Sequence, residues 1–471
     1  MTECTKERMV FQGLGRRKVE GRFDGGPLTS DGGGLLLREV EARFGMVKRF
    51  AECFEDHRDA DRIEHRVGEL VAQRVFGLAL GYEDLNDHDD LRRDGLLALV
   101  VGKADPSGQD RVRERDRGKA LAGKSTLNRL ELTAADADGG SRYKKIVARD
   151  TAIESLFVEL FLQLEGEAPE RVVLDLDATD DPLHGQQEGR FFHGYYRQYC
   201  YLPLYIFCGE HLLCARLRQA NGDAAEGSVE ELERIVEAIR QRWPEAPILV
   251  RADSGFCREE IMGWCERNGV DYLLGLAKNA RLKEAIAEEL AEAKRLYEES
   301  GEASRVFKDF RYRTRTSWSA ERRVVGKAEH LSKGGNPRFV VTSLSAKEID
   351  GQTLYEQVYC ARGEMENRIN EQQLCLFADR TSASVMRANQ LRLWFSSMAY
   401  VVMQALRQYG LKGTEMERAQ CDTIRVKLLK IGAQVQMSVR RIVIHLADGC
   451  PYQEIFARVH RNLQALAPLC C

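Results

Sequence analysis

The sequence predicts an α/β protein built on a mixed sheet flanked by helices, and three observations carry that prediction. Apolar residues recur at helical spacing early in the chain, at Leu35, Leu36, Val40 and Phe44 and again at Val67, Leu70, Val71, Val75 and Leu78. Near Arg171 the pattern turns to short β-branched runs. Two of them, Val172 to Asp177 and Ile248 to Asp253, end in a carboxylate. Amphipathic segments follow these runs: Ser228 to Trp243, closed by Pro244, and Arg258 to Asn268.

Taken in order, residues 1–30 are rich in glycine and charge and read as irregular. Asp31 to about Leu132 reads as helices separated by polar clusters at Gly81 to Asp90 and Asp105 to Arg117. After the run ending at Asp177, Tyr199 to Phe207 and His211 to Arg218 read as two strands joined by a turn at Gly209-Glu210. Tyr272 to Leu276 is a further strand, followed by Lys278. Three antiparallel-looking strands, then helix, strand, helix, strand, is the order of a ribonuclease-H-like sheet. Leu282 to Glu298 reads as a charged helix. Arg305 to Val325 and Arg338 to Leu344 read as strands, and residues 354 onward as helix with a short strand at Arg441 to His445. The division this predicts is a helical N-terminal region (1–165), a candidate for binding DNA ends, a first part of the core (166–283), a β-rich insertion (284–350), a second part of the core with the helix of Glu366 (351–400) and a helical C-terminal region (401–471).

Composition narrows the function. The 471 residues are 44% hydrophobic and 30% charged, with a net charge of −3. Bulk charge therefore gives no attraction for nucleic acid, and any DNA contact must come from local basic patches. The 13 cysteines include no C-x-x-C pair, which argues against a zinc site and a disulfide framework and for a reducing cytoplasm. The adjacent Cys470 and Cys471 have no evident role. Met1 to Arg17 mixes charges without an apolar stretch, and no run of about 18 apolar residues occurs, so neither a signal peptide nor a membrane span is expected.

Three carboxylates stand out by position. Asp177 and Asp253 end their strands, and Glu366 lies near the start of a later helix. Carboxylates held at the ends of rigid strands suit Mg²⁺, which prefers oxygen ligands. Two such ions stabilise the attacking and leaving oxygens of an in-line displacement at phosphorus. Asp175 rivals Asp177, because residues two apart in a strand share a face.

Tyr359, Arg362 and Glu366 are spaced Y-(2)-R-(3)-E. With Asp177-Ala178-Thr179, His184 to Gln187, Tyr195-Tyr196, Arg251 to Phe256, Ala361 to Ile369, Thr29 to Gly34 and Ser125 to Glu131, this resembles bacterial DDE transposases of the insertion sequence 1380 family. The resemblance covers most of the chain. It implies a ribonuclease-H-like core, with Asp177, Asp253 and Glu366 as catalytic and metal-binding residues for two Mg²⁺, Mn²⁺ being able to substitute. It also implies double-stranded DNA as partner, both terminal inverted repeats and target, with an oligomer assembled on DNA in the bacterial cytoplasm at the nucleoid. Water-activated nicking, then attack of the 3′-hydroxyl on target DNA, is the implied reaction, without a nucleotide cofactor. A metal-dependent nuclease without strand transfer and an inactive DNA-binding derivative are the alternatives. The family's Y-(2)-R-(3)-E-(6)-K signature would put lysine at 373, where this chain has Gln373.

Other residues carry weaker expectations. Arg362, four before Glu366, shares its helix face; it holds a DNA phosphate, orients the acid, or forms an ordinary ion pair. Tyr359 buttresses the site or simply packs, and Lys278 is a phosphate candidate. Arg311, Arg313 and Arg315, amid aromatics, form a basic stretch suited to phosphate neutralisation. Trp318 receives a flipped base or sits in the core of its ribbon. A weaker basic run comprises Arg425, Lys427, Lys430, Arg440 and Arg441. Gly118 to Ser125 matches a phosphate-loop pattern but lacks the preceding apolar strand. His88-Asp89-Asp90 reads as a solvated loop.

Overall fold

The structure, a computed structural model, describes residues 8–467. They fall into two compact units, one of residues 148–397 and one of the flanking segments up to 147 and from 398.

The 148–397 unit is organised by a nine-stranded sheet. Strands β1 (Val172–Ala178), β2 (Leu204–Cys208) and β3 (His211–Arg216) are antiparallel neighbours. Helix α1 (Ser228–Arg242) then leads to β4 (Ile248–Ala252), parallel to β1, and α2 (Glu259–Asn268) leads to β5 (Asp271–Leu276), parallel to β4. The spatial order β3-β2-β1-β4-β5 continues through β8 (Arg338–Thr342), β7 (Arg322–Leu331) and β6 (Ser304–Tyr312), with Gly334–Gly335 paired to β7. The mixed sheet flanked by helices is the fold class that the sequence predicts. The β-rich segment extends the same sheet, because β8 pairs with β5.

Alternation along the strands decides which face carries chemistry. Leu174, Leu176, Val250, Ala252 and Leu274 pack with Leu232, Ile235, Ile239, Ile261 and Met262 of α1 and α2 in one core. Burial of each large aliphatic side chain there contributes about 2 kcal/mol. The opposite face takes Val173, Leu249 and Leu273, which pack with Leu354, Tyr355 and Tyr359. Asp175, Asp177, Arg251 and Gly275 fall on this second face by the same alternation. The segment covering it is helical from Gly351, passes through a π-helical stretch at Leu354–Tyr359, and continues as α3 (Gly363–Leu376). Wide turns of this kind gather at functional sites.

Tyr199 to Phe207 is not one strand. Pro203 has no N–H for the ladder, and the chain breaks there into Gln198–Tyr201 and β2. The first piece joins a separate three-stranded sheet with Asp181–Pro182 and Phe191–His193.

In the other unit, residues 1–30 are not irregular throughout: Met9–Leu14 and Arg17–Gly21 form an antiparallel hairpin. His88 is not in a solvated loop. It is fully buried in a short helix, its ring beside Gly77, and burial pushes the imidazole down to about 3. The Thr29 to Gly34 segment closes this unit. Buried Asp31 accepts from Tyr82 and pairs with Lys430 at 2.6 Å. Gly33 comes so near the Leu428 carbonyl that any Cβ would collide with it. Arg425 donates to the carbonyls of Leu78 and Ala79, so neither it nor Lys430 belongs to a freely solvated face. A 3₁₀ turn, not a strand, precedes the phosphate-loop-like segment. Cys470 and Cys471 lie outside the described residues.

Candidate active site

The two strand-terminal aspartates meet because β1 and β4 run side by side in register. Arg251 pairs with Asp175 and Ala252 with Leu176, so the next step sets Asp253 opposite Asp177. Asp253 caps the following 3₁₀ turn, accepting from the Gly255 N–H at 2.8 Å. Asp177 accepts from the Ala178 N–H at 3.0 Å. Burial pushes the Asp177 carboxyl up to about 6, with the Asp253 and Glu366 carboxylates adding to the rise and Arg362 opposing it.

Glu366 stands in the first turn of α3, its side chain half exposed. Arg362 links it to the sheet: Nη2 donates to Glu366 Oε1 at 2.6 Å, and Nη1 lies 3.6 Å from Asp177 Oδ2. Nη1 is buried and has no hydrogen-bond partner. Burial alone would lower the Arg362 pKa, but Asp177 and Glu366 raise it, so the guanidinium is firmly charged. Tyr359 rests over Gly275, where a Cβ would lie 2.5 Å from its hydroxyl and 2.8 Å from the Ser254 nitrogen. Only glycine admits the phenol this close to the Asp253 turn, and burial pushes that phenol's pKa up.

Asp175 is engaged elsewhere. Arg251 grips it in two-pronged fashion, Nε to Oδ1 at 2.5 Å and Nη2 to Oδ2 at 2.7 Å, and its third nitrogen donates to the Val358 carbonyl. One guanidinium thus ties β1 and β4 to the helix that carries Tyr359, Arg362 and Glu366. Arg251 and Gly275 were not singled out in the sequence for these roles. An arginine two residues before a strand-terminal acid, on the same face, was the available signal.

Gln373, two turns beyond Glu366, donates to the Asp180 carbonyl at 3.2 Å and to Asp181 Oδ1 at 2.9 Å. Asp181 is fully buried and its Oδ2 has no partner. Burial pushes its carboxyl up to about 8 against the pull of Gln373.

The family model for transposase DDE domain, group 1, matches residues 11–468. The chain belongs to that family. No curated protein matches it. Family membership makes it a transposase, and places it among metal-dependent enzymes that cut and transfer DNA.

The donors fit a hard divalent cation in chemistry, since all three are carboxylates. Among the described residues, though, no three His, Cys, Asp or Glu side chains already form a metal cluster. Arg362 lies between Asp177 and Glu366 instead.

The expected DNA contacts separate by exposure. Lys278 is exposed just past β5, and Arg311, Arg313 and Arg315 are exposed on and beyond the end of β6. Arg311 reaches Glu321 only at 4.0 Å, and Arg313 donates to the Trp318 carbonyl. The neighbouring Arg322 and Arg323 are buried in ion pairs with Glu259, Glu266 and Asp309. Trp318 is 4% exposed, set edge-on against Tyr312 with Arg322 over its ring. Little of its indole is exposed, at the wall of a cavity it shares with Cys257, Arg258 and Ser317. Among the described residues no helix is long and apolar enough to cross a membrane.

Proposed function

We propose that this transposase, of the insertion sequence 1380 family, excises and inserts its element through Asp177, Asp253 and Glu366. The observation that carries the reading is the register of β1 and β4, which sets Asp253 opposite Asp177, with Glu366 joined to Asp177 through Arg362. These three carboxylates would hold Mg²⁺, with Mn²⁺ able to replace it. When bound, the ions supply stabilisation of the attacking and leaving oxygens of the phosphodiester. Arg362, whose Nη1 has no hydrogen bond, turns to a DNA phosphate once the acids are otherwise neutralised. Tyr359 braces the Asp253 turn, and Arg251 holds Asp175 out of the reaction. Lys278, Arg311, Arg313 and Arg315 fix the duplex by its phosphates, which positions it without reading sequence. Nicking exposes a 3′-hydroxyl, whose attack on target DNA exchanges one phosphodiester for another and needs no nucleotide cofactor. Paired terminal inverted repeats imply an oligomer on DNA.

The test is strand cleavage of duplex DNA carrying the gene's own flanking sequence, with Mg²⁺ and with EDTA, for wild type and Asp253→Asn. Metal-dependent nicking at a repeat boundary, absent in the variant, supports the reading. Nicking without joined products would leave a nuclease, and specific binding without cleavage in either protein would leave an inactive DNA-binding derivative.

A further inference from the structure

The segment after Asp177 folds back as a hairpin whose tip is aromatic and open to solvent. Phe191–His193 pairs with Gln198–Tyr201, and Gly194 to Arg197 makes the turn. Tyr195 is 83% exposed and Phe192 49%. Rings this exposed cost solvation, and this sheet does nothing to hide them. Phe192 sets edge-on to Tyr199, over which the Arg190 guanidinium sits at 4.4 Å. Tyr195 sets edge-on to Tyr196 at 5.0 Å, and Tyr196 reaches the Ala178 carbonyl, the residue next to Asp177. The tip is therefore two rings away from the first candidate acid.

The hairpin is also held firmly. Gln198 donates to Asp180, Arg190 to the Gly185 carbonyl at 2.8 Å, and Gln187 to the Thr381 carbonyl at 3.1 Å. Arg197 closes the turn at φ 56°, a left-handed conformation that a non-glycine residue adopts only when its surroundings enforce it. From Asp180 to Tyr201 the chain carries Asp180, Asp181 and Glu188 at the base of the small sheet, while the cations lie by the exposed rings, Arg197 in the turn with Tyr195 and Arg190 over Tyr199. Exposed flat rings among cations, fixed in place, complement a base beside its phosphate. A protein partner would find no such reason for the cations.

We propose that this hairpin is a stacking platform for unpaired bases of the DNA substrate next to the cut, with Tyr195 and Phe192 as the stacking faces. The proposal rests on the transposase reading for the identity of its DNA. It gives an opened strand the aromatic seat that buried Trp318 does not offer. Rigid rings lose little freedom on binding, and stacking tolerates any base because every base has a π face.

The experiment measures binding alone, in EDTA, by anisotropy of a fluorescein-labelled (dT)15 strand and of a 15-base-pair blunt duplex. The proteins are wild type, Tyr195→Ala, Tyr195→Trp and Phe192→Ala/Tyr195→Ala. The expected result is about a tenfold loss of (dT)15 affinity for Tyr195→Ala and a larger one for the double variant, with recovery in Tyr195→Trp and duplex affinity unchanged. Three results would overturn the proposal: no (dT)15 binding by wild type, unchanged (dT)15 affinity in the double variant, or equal losses on both DNAs. Because no cleavage is read, failure here leaves the cleavage result standing, and failure of cleavage leaves this one standing.

Discussion

Replacing Asp181 with asparagine tests whether a buried carboxyl beside the active site is neutral in the fold. Asp181 is fully buried, its one partner is the Gln373 amide, and its second oxygen has none. Burial lifts the carboxyl from 3.8 to about 8. Between those values the folded chain keeps the proton that the unfolded chain has lost. The folded state therefore binds one more proton, and its stability falls as pH rises, by about 1.4 kcal/mol per unit. This contribution is complete below 3.8 and is gone once pH passes the folded value near 8. Asparagine keeps an oxygen for Gln373 and cannot titrate. Between pH 5 and 7 Asp181→Asn should gain about 3 kcal/mol relative to wild type, against a total domain stability of roughly 5–15 kcal/mol. Urea unfolding followed by tryptophan fluorescence reads the right unit, because all four tryptophans, at 243, 264, 318 and 394, lie within residues 148–397 and are buried. Parallel stability curves for the two proteins from pH 5 to 8 would show that Asp181 is ionised in the fold and refute the argument.

Other perturbations have equally definite outcomes. Arg251→Ala leaves Asp175 buried without its cation and should cost about 3–5 kcal/mol in the same unfolding assay; a loss under about 1 kcal/mol would mean that the pair is well solvated. Gly275→Ala forces a methyl into the Tyr359 hydroxyl and should cost about 1–3 kcal/mol, part of it returned by adding Tyr359→Phe; no return would place the strain in the backbone at Ser254. Trp318→Ala should destabilise by about 3–5 kcal/mol and leave the DNA affinity of the folded protein unchanged. Arg313→Ala and Arg315→Ala should each flatten the salt dependence of duplex binding by about one unit of slope, measured as log affinity against log salt.

Much of the fold and of the candidate site was legible in the sequence. Short apolar runs ending in Asp177 and Asp253, with two more strands and an amphipathic helix between them, read as strands of a mixed sheet whose last residues are acids; that the two lie side by side and parallel is seen only in the fold. The Y-(2)-R-(3)-E spacing sets Arg362 and Glu366 on one helical face whatever that helix packs against. These are local patterns, fixed by backbone geometry over a few residues. Tertiary structure decided the rest, because it depends on register and burial between distant segments. Asp175 and Asp177 look equivalent in a strand, and only the β1–β4 register brings Arg251 across to claim Asp175. Gln373 shows no visible partner until α3 lies over Asp181. Trp318 reads as an aromatic amid basic residues, and Tyr195 only as half of the Tyr195-Tyr196 pair in the family resemblance. Packing against Tyr312 and Arg322 buries the first, and a two-stranded hairpin with nothing over its tip exposes the second. A sequence fixes which side chains are available on each face; the free energy of burying or solvating them, which settles what each can do, is set by what the completed fold places opposite.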